Sequence, residues 1–363
     1  MSDIHAVIMP RWGLTMEEGL VTQWMVAIGE TVAPGQEIVE VESTKLAGVV
    51  EAAEGGVLRR QVVPVGQTVP TGTLIGVLAG ADVSEEAIDA FVGAFVIPDF
   101  DADGGEGSGE QSIEVKGAKI AYLRAGAGPG VPVLLVHGFG GDATSWAMVM
   151  DGLSADHDVI ALDLPGHGGS AKQVAGGGLA DLGAFLADFL NALDAPRAHL
   201  VGHSMGGGAC IALAAQAPDR VASMTLLAPM GLGREINADY LAAFTAARKS
   251  RDVKEALRSL FADESLLSRS LVDEVLKYKR LDGVDAALAL FGAALLDGDG
   301  QRAVYDAIGA PGGRVTLLAG AEDRIIPPAQ VESRGGRLLP GVGHMPQVEA
   351  TADVVAAIRD TIG

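Results

Sequence analysis

The segment Gly202-His203-Ser204-Met205-Gly206 sets a serine between glycines, after one apolar run and before a helix-forming one. A G-x-S-x-G in a strand–turn–helix setting lifts the serine hydroxyl above a sheet edge, where it can attack a carbonyl. Serine alone is a weak nucleophile and needs a base that is itself held by an acid. In chain order the acid and then the base should follow. Asp323 in "LLAGAEDRIIP" and His344 in "GVGHMPQVE" occupy those places, with Glu322 as the alternative acid. Acyl transfer also needs donors for the developing oxyanion. The Met205 N–H, opening the helix, is one, and the Phe139 N–H in "HGFGG" is the expected second. His137 is expected to shape that loop, His167 and His203 to be structural, and Cys210 to lie in the core.

A second reactive group lies far upstream. Lys45 closes the segment Glu42-Ser43-Thr44-Lys45, between valine-rich stretches. Sliding the sequence by 37 places Gly19 on Gly56, Val26 on Val63, Gly29 on Gly66, Val32 on Val69, Gly35 on Gly72 and Ile38 on Ile75. Each copy alternates apolar positions and breaks at Gly or Pro, the pattern of short strands. Neither copy buries its apolar face alone, so two small sheets facing each other across an approximate two-fold axis are expected. Lys45 joins the copies, at the tip of a hairpin that a modifying enzyme can reach. The plain alternative is a solvated lysine in a turn.

The elements that must position the serine come after residue 113. "VPVLLVHG", "DVIALDLPGHG", "AHLVGHSMGG", "VASMTLLAP" and "RVTLLAG" read as buried strands running into loops, with helical segments between them. That alternation specifies a mostly parallel sheet covered on both faces, which binds ligands at the carboxyl ends of its strands. Residues 231–300 are helical and less regular, as expected of a cap over a site. Between the two regions, residues 84–96 predict one helix, N-capped by Ser84 with Glu85 and Glu86 in its first turn. It is either a docking element or packed on a domain. "PDFDADGGEGSGEQ" then reads as a flexible linker, reaching about 45 Å at full extension.

The totals set limits. A chain of 363 residues with 48% hydrophobic content predicts two domains. A net charge of −21 opposes nucleic acid and anionic membrane partners. One cysteine allows no internal disulfide and no cysteine-based zinc site, and no metal is expected. "MSDIHAVIMP" lacks a signal-peptide pattern, and no apolar run approaches a membrane span, so a cytoplasmic protein is expected.

Residues 1–80 resemble the lipoyl domains of the 2-oxo acid dehydrogenase family, through "MPRWGLTMEEG", "VAIGETVAPGQEIVEVESTK" and "GGVL…VPVGQTVPTGTLIGVL". The resemblance implies an all-β, flattened two-sheet barrel with lipoate in amide linkage on Lys45. It also implies a lipoate ligase or lipoyl transferase to attach the group. The sister biotinyl domains flank their lysine with methionines; here the neighbours are Thr44 and Leu46. Residues 113–363 resemble the α/β-hydrolase family, with residues 81–112 as helix and linker. The fusion is similar to the E2 subunits of bacterial acetoin dehydrogenase complexes. That likeness implies acetyl transfer from the arm to CoA, a thiamine-diphosphate-dependent E1, an FAD-dependent dihydrolipoyl dehydrogenase E3, and a homo-oligomer.

Two departures qualify it. The segment after residue 80 is too short for the family's subunit-binding domain. The H-x-x-x-D-G motif of mainstream transferase domains is absent. Transfer must then use the serine site, with CoA phosphates met by Arg248, Lys249 and Arg251 in "ARKSRDVKEALR". The rival readings are a lipoyl-tethered esterase or thioesterase releasing free acid, and a carrier or assembly subunit with residual hydrolase activity.

Overall fold

The computed structural model describes residues 4–10, 16, 18–43, 47–97, 109–298, 300–302 and 314–363. The chain forms two compact units, one of residues 1–104 with 268–271 and one of residues 105–267 with 272–363. Most of the expected linker, and Lys45 itself, lie outside the described residues.

The first unit contains β1 (Ile4–Ile8), β2 (Glu18–Trp24), β3 (Thr31–Val32), β4 (Glu37–Glu42), β5 (Ala47–Glu51), β6 (Gly56–Gln61), β7 (Thr68–Pro70) and β8 (Leu74–Ala79). They make two four-stranded sheets, in the orders β1-β8-β6-β3 and β5-β4-β2-β7. The sequence copies do not form one sheet each. Each sheet takes strands from both copies, so neither half is complete without the other.

The duplication persists in the contacts. Trp24 Nε1 donates to the Val63 carbonyl at 3.1 Å, and Gln61 Nε2 donates to the Val26 carbonyl at 3.1 Å. The 37-residue shift turns one bond into the other. Val21 and Leu58, Ile38 and Ile75, and Val41 and Leu78 are matched pairs in one core. Gly29 and Gly66 recur because both turns need a positive φ, 93° and 86°.

The helix α1 (Glu85–Ala94) breaks the symmetry. Ser84 caps it, accepting the Ala87 N–H at 3.2 Å. Ile88 is fully buried, in a cluster with Leu74, Val77, Ala79 and Val83 that Phe91 and Phe95 cover. The helix therefore packs on the first unit. The 37-residue shift carries Leu74, Val77 and Ala79 onto Glu37, Glu40 and Glu42, so only one sheet has an apolar outer face for a helix.

The second unit contains β9 (Gly109–Val115), β10 (Ala118–Ala125), β11 (Val133–Val136), α2 (Ala147–Ser154), β12 (Val159–Leu162), α3 (Leu179–Ala192), β13 (Ala198–His203), α4 (Met205–Gln216) and β14 (Val221–Leu227). Next come α5 (Ala238–Ala246), α6 (Ser250–Leu257), α7 (Arg269–Lys279), α8 (Val284–Leu295) and a ribbon of β15 (Leu296–Asp297) with β16 (Gly300–Gln301). The chain ends with β17 (Val315–Gly320), α9 (Ala329–Glu332), β18 (Arg337–Leu339), α10 (Pro346–Glu349) and α11 (Thr351–Ile362).

Among the described residues the main sheet has eight strands, ordered β18-β17-β14-β13-β11-β12-β10-β9. The pairs from β12 through β18 are parallel, and β10 joins β12 and β9 antiparallel. The central strands β11 and β12 are buried at every position, as a sheet covered on both faces requires. From β11 the chain adds β12 on one side and β13 on the other. That reversal opens a crevice at the carboxyl ends of β11 and β13, where such sheets bind ligands. Among the described residues no helix is long and apolar enough to cross a membrane.

Candidate active site

Ser204 stands at the end of β13 with φ 52° and ψ −118°, a strained conformation for a residue with a side chain. Neighbouring glycines make the turn possible. A Cβ on Gly206 would lie 2.3 Å from the Val136 carbonyl oxygen, and one on Gly202 would lie 2.6 Å from the Gly207 Cα. The backbone is anchored at both of its groups: the Ser204 N–H donates to Leu227 O at 3.0 Å, and its carbonyl accepts from Met230 N–H at 2.9 Å. The strain is thus held by the sheet.

Asp323 and His344 form the expected pair. His344 Nδ1 lies 2.8 Å from Asp323 Oδ2. Asp323 Oδ1 accepts the Ile325 and Ile326 N–H groups at 2.7 and 3.0 Å, which fixes the carboxylate. Both residues are buried. Their loops follow β17 and β18, and a Cβ on Gly320 would come within 2.0 Å of Gly343 O. His203, next to Ser204, donates from Nε2 to the His344 carbonyl at 2.7 Å, so the segments carrying Ser204 and His344 meet there. This bond gives His203 a structural part. Replacing Asp323 with Asn removes the charge behind His344 and favours the wrong tautomer. Turnover is expected to fall by about 10⁴-fold with little change in KM, measured by steady-state kinetics.

The expected oxyanion donors lie on two segments next to Ser204. Among the described residues neither the Phe139 nor the Met205 backbone N–H has a hydrogen-bond acceptor. A Cβ on Gly138 would lie 3.0 Å from Ser204 Cβ, so the loop carrying Phe139 runs against the serine. That loop is braced by two histidines. His137 Nε2 accepts the Leu164 N–H at 3.0 Å and its Nδ1 lies 2.7 Å from Gly138 O. His167 Nε2 accepts the Gly140 N–H at 3.2 Å. Burial pushes His137, His167 and His203 below the usual histidine range. Neutral rings suit His137 and His167, since an imidazolium would have no acceptor nitrogen.

Asp163 has a part that the sequence reading did not assign. Its Oδ1 accepts the Ala143 N–H and its Oδ2 the Gly169 N–H, each at 2.7 Å. It joins the Phe139 loop to the loop after β12. Its signal lay in "DLPGHGGS", an acid directly before a glycine-rich turn. Cys210 is buried, as expected, and burial pushes its thiol far up.

The helices of residues 231–300 close on these loops. The Phe244 ring meets Phe139 edge-on at 5.9 Å, Tyr278 Oη donates to Gly166 O at 3.0 Å, and Phe291 lies 5.2 Å from His167. Arg248 is committed to Asp285 at 2.8 Å and to the Thr245 carbonyl at 2.7 Å. Lys249 precedes α6 and Arg251 lies on it, both exposed. Lys279 is buried, with Nζ 4.9 Å from the centre of the Phe244 ring.

Lys45 is outside the described residues, but its flanks are placed. The strands β4 and β5 pair antiparallel with Glu42 opposite Ala47. The four residues between these partners include Lys45. The primary amine of a lysine there fits an amide-linked acyl carrier.

A strained serine and a buried Asp–His pair on a mostly parallel sheet supply elements of a serine-hydrolase class of site, in a chain that also carries a duplicated β unit. Residues 131–352 match the alpha/beta hydrolase fold family, and residues 5–78 match the biotin-requiring enzyme family. Two relatives extend over nearly the whole chain. One, from Cupriavidus necator, is 40% identical and covers 99% of this chain and 98% of its own. The other, from Pseudomonas putida, is 42% identical and covers 98% of this chain and 97% of its own. Each is a dihydrolipoyllysine-residue acetyltransferase component of an acetoin cleaving system. A solved meta-cleavage product hydrolase from Pseudomonas fluorescens IP01 shares the fold, with TM-score 0.62 and 23% identity over 69% of this chain and 96% of that one. The chain belongs to the family of acetoin-cleaving dihydrolipoyllysine-residue acetyltransferases, built on an α/β-hydrolase scaffold.

Proposed function

We propose that this chain transfers an acetyl group from a dihydrolipoyl arm on Lys45 to CoA through Ser204, His344 and Asp323. The whole-chain likeness to acetyltransferase components of acetoin cleaving systems supports the overall reaction. The buried His344–Asp323 pair, linked to the strained Ser204 turn through the His203–His344 bond, is the observation that carries the route.

When bound, the dihydrolipoyl group supplies the acetyl group as a thioester. Ser204 Oγ attacks the thioester carbonyl as His344 takes its proton. The Phe139 and Met205 N–H groups stabilise the oxyanion. The C–S bond breaks, His344 returns the proton to the leaving sulfur, and acetyl-Ser204 remains. His344 then takes the CoA thiol proton, the thiolate attacks the acyl-serine, and the proton passes to Ser204 as acetyl-CoA leaves. Asp323 stabilises the imidazolium throughout. Water is the competing nucleophile, and the helices packed over Phe139 and Gly166 restrict its entry. Lys249 and Arg251 are the exposed cations assigned to CoA phosphates, with Arg248 held back by Asp285.

The likeness further supports an E1 that charges the arm and an E3 that reoxidises it. Attachment of the arm by a lipoate ligase or lipoyl transferase, homo-oligomeric assembly and a cytoplasmic location complete the proposal. The test loads the reduced arm with acetyl, adds CoA, and measures acetyl-CoA against free acetate. Acetyl-CoA as the main product is expected. Acetate as the main product would replace the reading with a tethered thioesterase.

A further inference from the structure

Glu349 has no part in the scheme above, yet its contacts surround the catalytic base. Its Oε2 accepts the Gly343 N–H at 2.8 Å. Its Oε1 accepts the Ala262 N–H at 2.7 Å and the Asp263 N–H at 3.3 Å. The carboxylate therefore holds Gly343, the residue before His344, and, at once, a segment following α6. That segment reaches the histidine directly, because the His344 N–H donates to Leu260 O at 2.7 Å. The two backbones touch: a Cβ on Gly343 would lie 2.6 Å from Ala262 N and 2.7 Å from Leu260 O.

We propose that Glu349 is the positioning residue of His344, tying the loop that carries the imidazole to residues 260–263 of the helical cap so that base and cap keep one geometry. The inference rests on His344 being the base of the proposed reaction. Bonds from N–H groups to an ionised carboxylate are stronger than neutral ones, and several acting together fix a loop. Burial pushes Glu349 above the ordinary carboxylate range, and its partners among the described residues are backbone N–H groups rather than a cation. A charge kept at such a place is explained by what it holds. A small displacement of a catalytic base costs up to about 10²-fold in rate. Lys249 and Arg251, the cations assigned above to CoA phosphates, are not among the groups bonded to Glu349.

The test uses full-length lipoylated protein with Glu349→Gln and Glu349→Ala, correctly folded by circular dichroism. Glutamine keeps one acceptor oxygen; alanine keeps none. The turnover number is expected to fall about 10-fold in the first and about 10²-fold in the second, with KM for CoA within about twofold. Labelling of Ser204 by a fluorophosphonate, which needs the same base, should slow in the same order. Wild-type labelling and turnover in both variants, with only a lower melting temperature, would overturn the proposal. So would a raised KM with turnover intact. If the alanine variant does not fold, the graded loss in the glutamine variant decides. A Ser204→Ala control separates the two readings. Turnover retained there refutes the acyl-serine route, whereas the labelling rates judge Glu349 whatever the acceptor.

Discussion

Replacing Ser204 with alanine is expected to lower acetyl-CoA formation by about 10⁴-fold or more, leaving the fold and Lys45 lipoylation intact. Alanine removes the only atom of this residue that can hold the acyl group. The Phe139 and Met205 donors and the His344–Asp323 pair remain, so residual turnover reports direct attack of CoA on the thioester assisted by His344. The backbone bonds of Ser204 to Leu227 and Met230 involve no side-chain atom, so the turn survives the change. Sites that store strain for catalysis commonly gain stability when the reactive group is removed, so the melting temperature should not fall. The assay follows acetyl-CoA by chromatography, with the acetylated arm checked by intact mass. Turnover within tenfold of wild type would mean that no acyl-serine is required, and the hydrolase-like nucleophile would then be incidental to transfer.

Lys45→Arg is expected to abolish complex-dependent acetyl-CoA formation altogether while leaving Ser204 fully reactive. Arginine preserves the charge but offers no amine for an amide bond. No acetyl group then reaches the second unit. Ser204 should still be labelled by a fluorophosphonate, and still cleave an activated acetate ester, at wild-type rates. The reason is structural: the two residues belong to separate compact units, each with its own buried residues. Intact mass is the second readout. Wild-type protein made in a lipoate-competent host should carry one lipoyl increment, and Lys45→Arg none. An unmodified wild-type mass, or complex turnover surviving in Lys45→Arg, would defeat the assignment.

Much of this was legible in the residues. The 37-residue repeat announced a duplicated β unit, because a pseudo-symmetric core places equal demands on matched positions such as Ile38 and Ile75. The order Ser204, Asp323, His344 was readable because each sits in a short local signal, a strand running into a glycine-rich or acidic turn. The helix after Ser84 was readable from its cap and its apolar stripe.

What the sequence determined by itself is thus local: a serine, an acid, a histidine and a lysine in settings that suit a nucleophile, its two partners and an attachment point. What only the tertiary structure decided is which groups meet. The two β copies exchange strands between sheets, and α1 lies on one sheet and not its twin. The side chains of His137, His167, His203 and Asp163 became braces of the catalytic loops. Arg248 was taken out of the exposed cation cluster by Asp285. Glu349 was joined to a segment 87 residues away in the chain. Such pairings leave no local periodicity. They follow from backbones brought together by burial, whose N–H and C=O groups must then find partners.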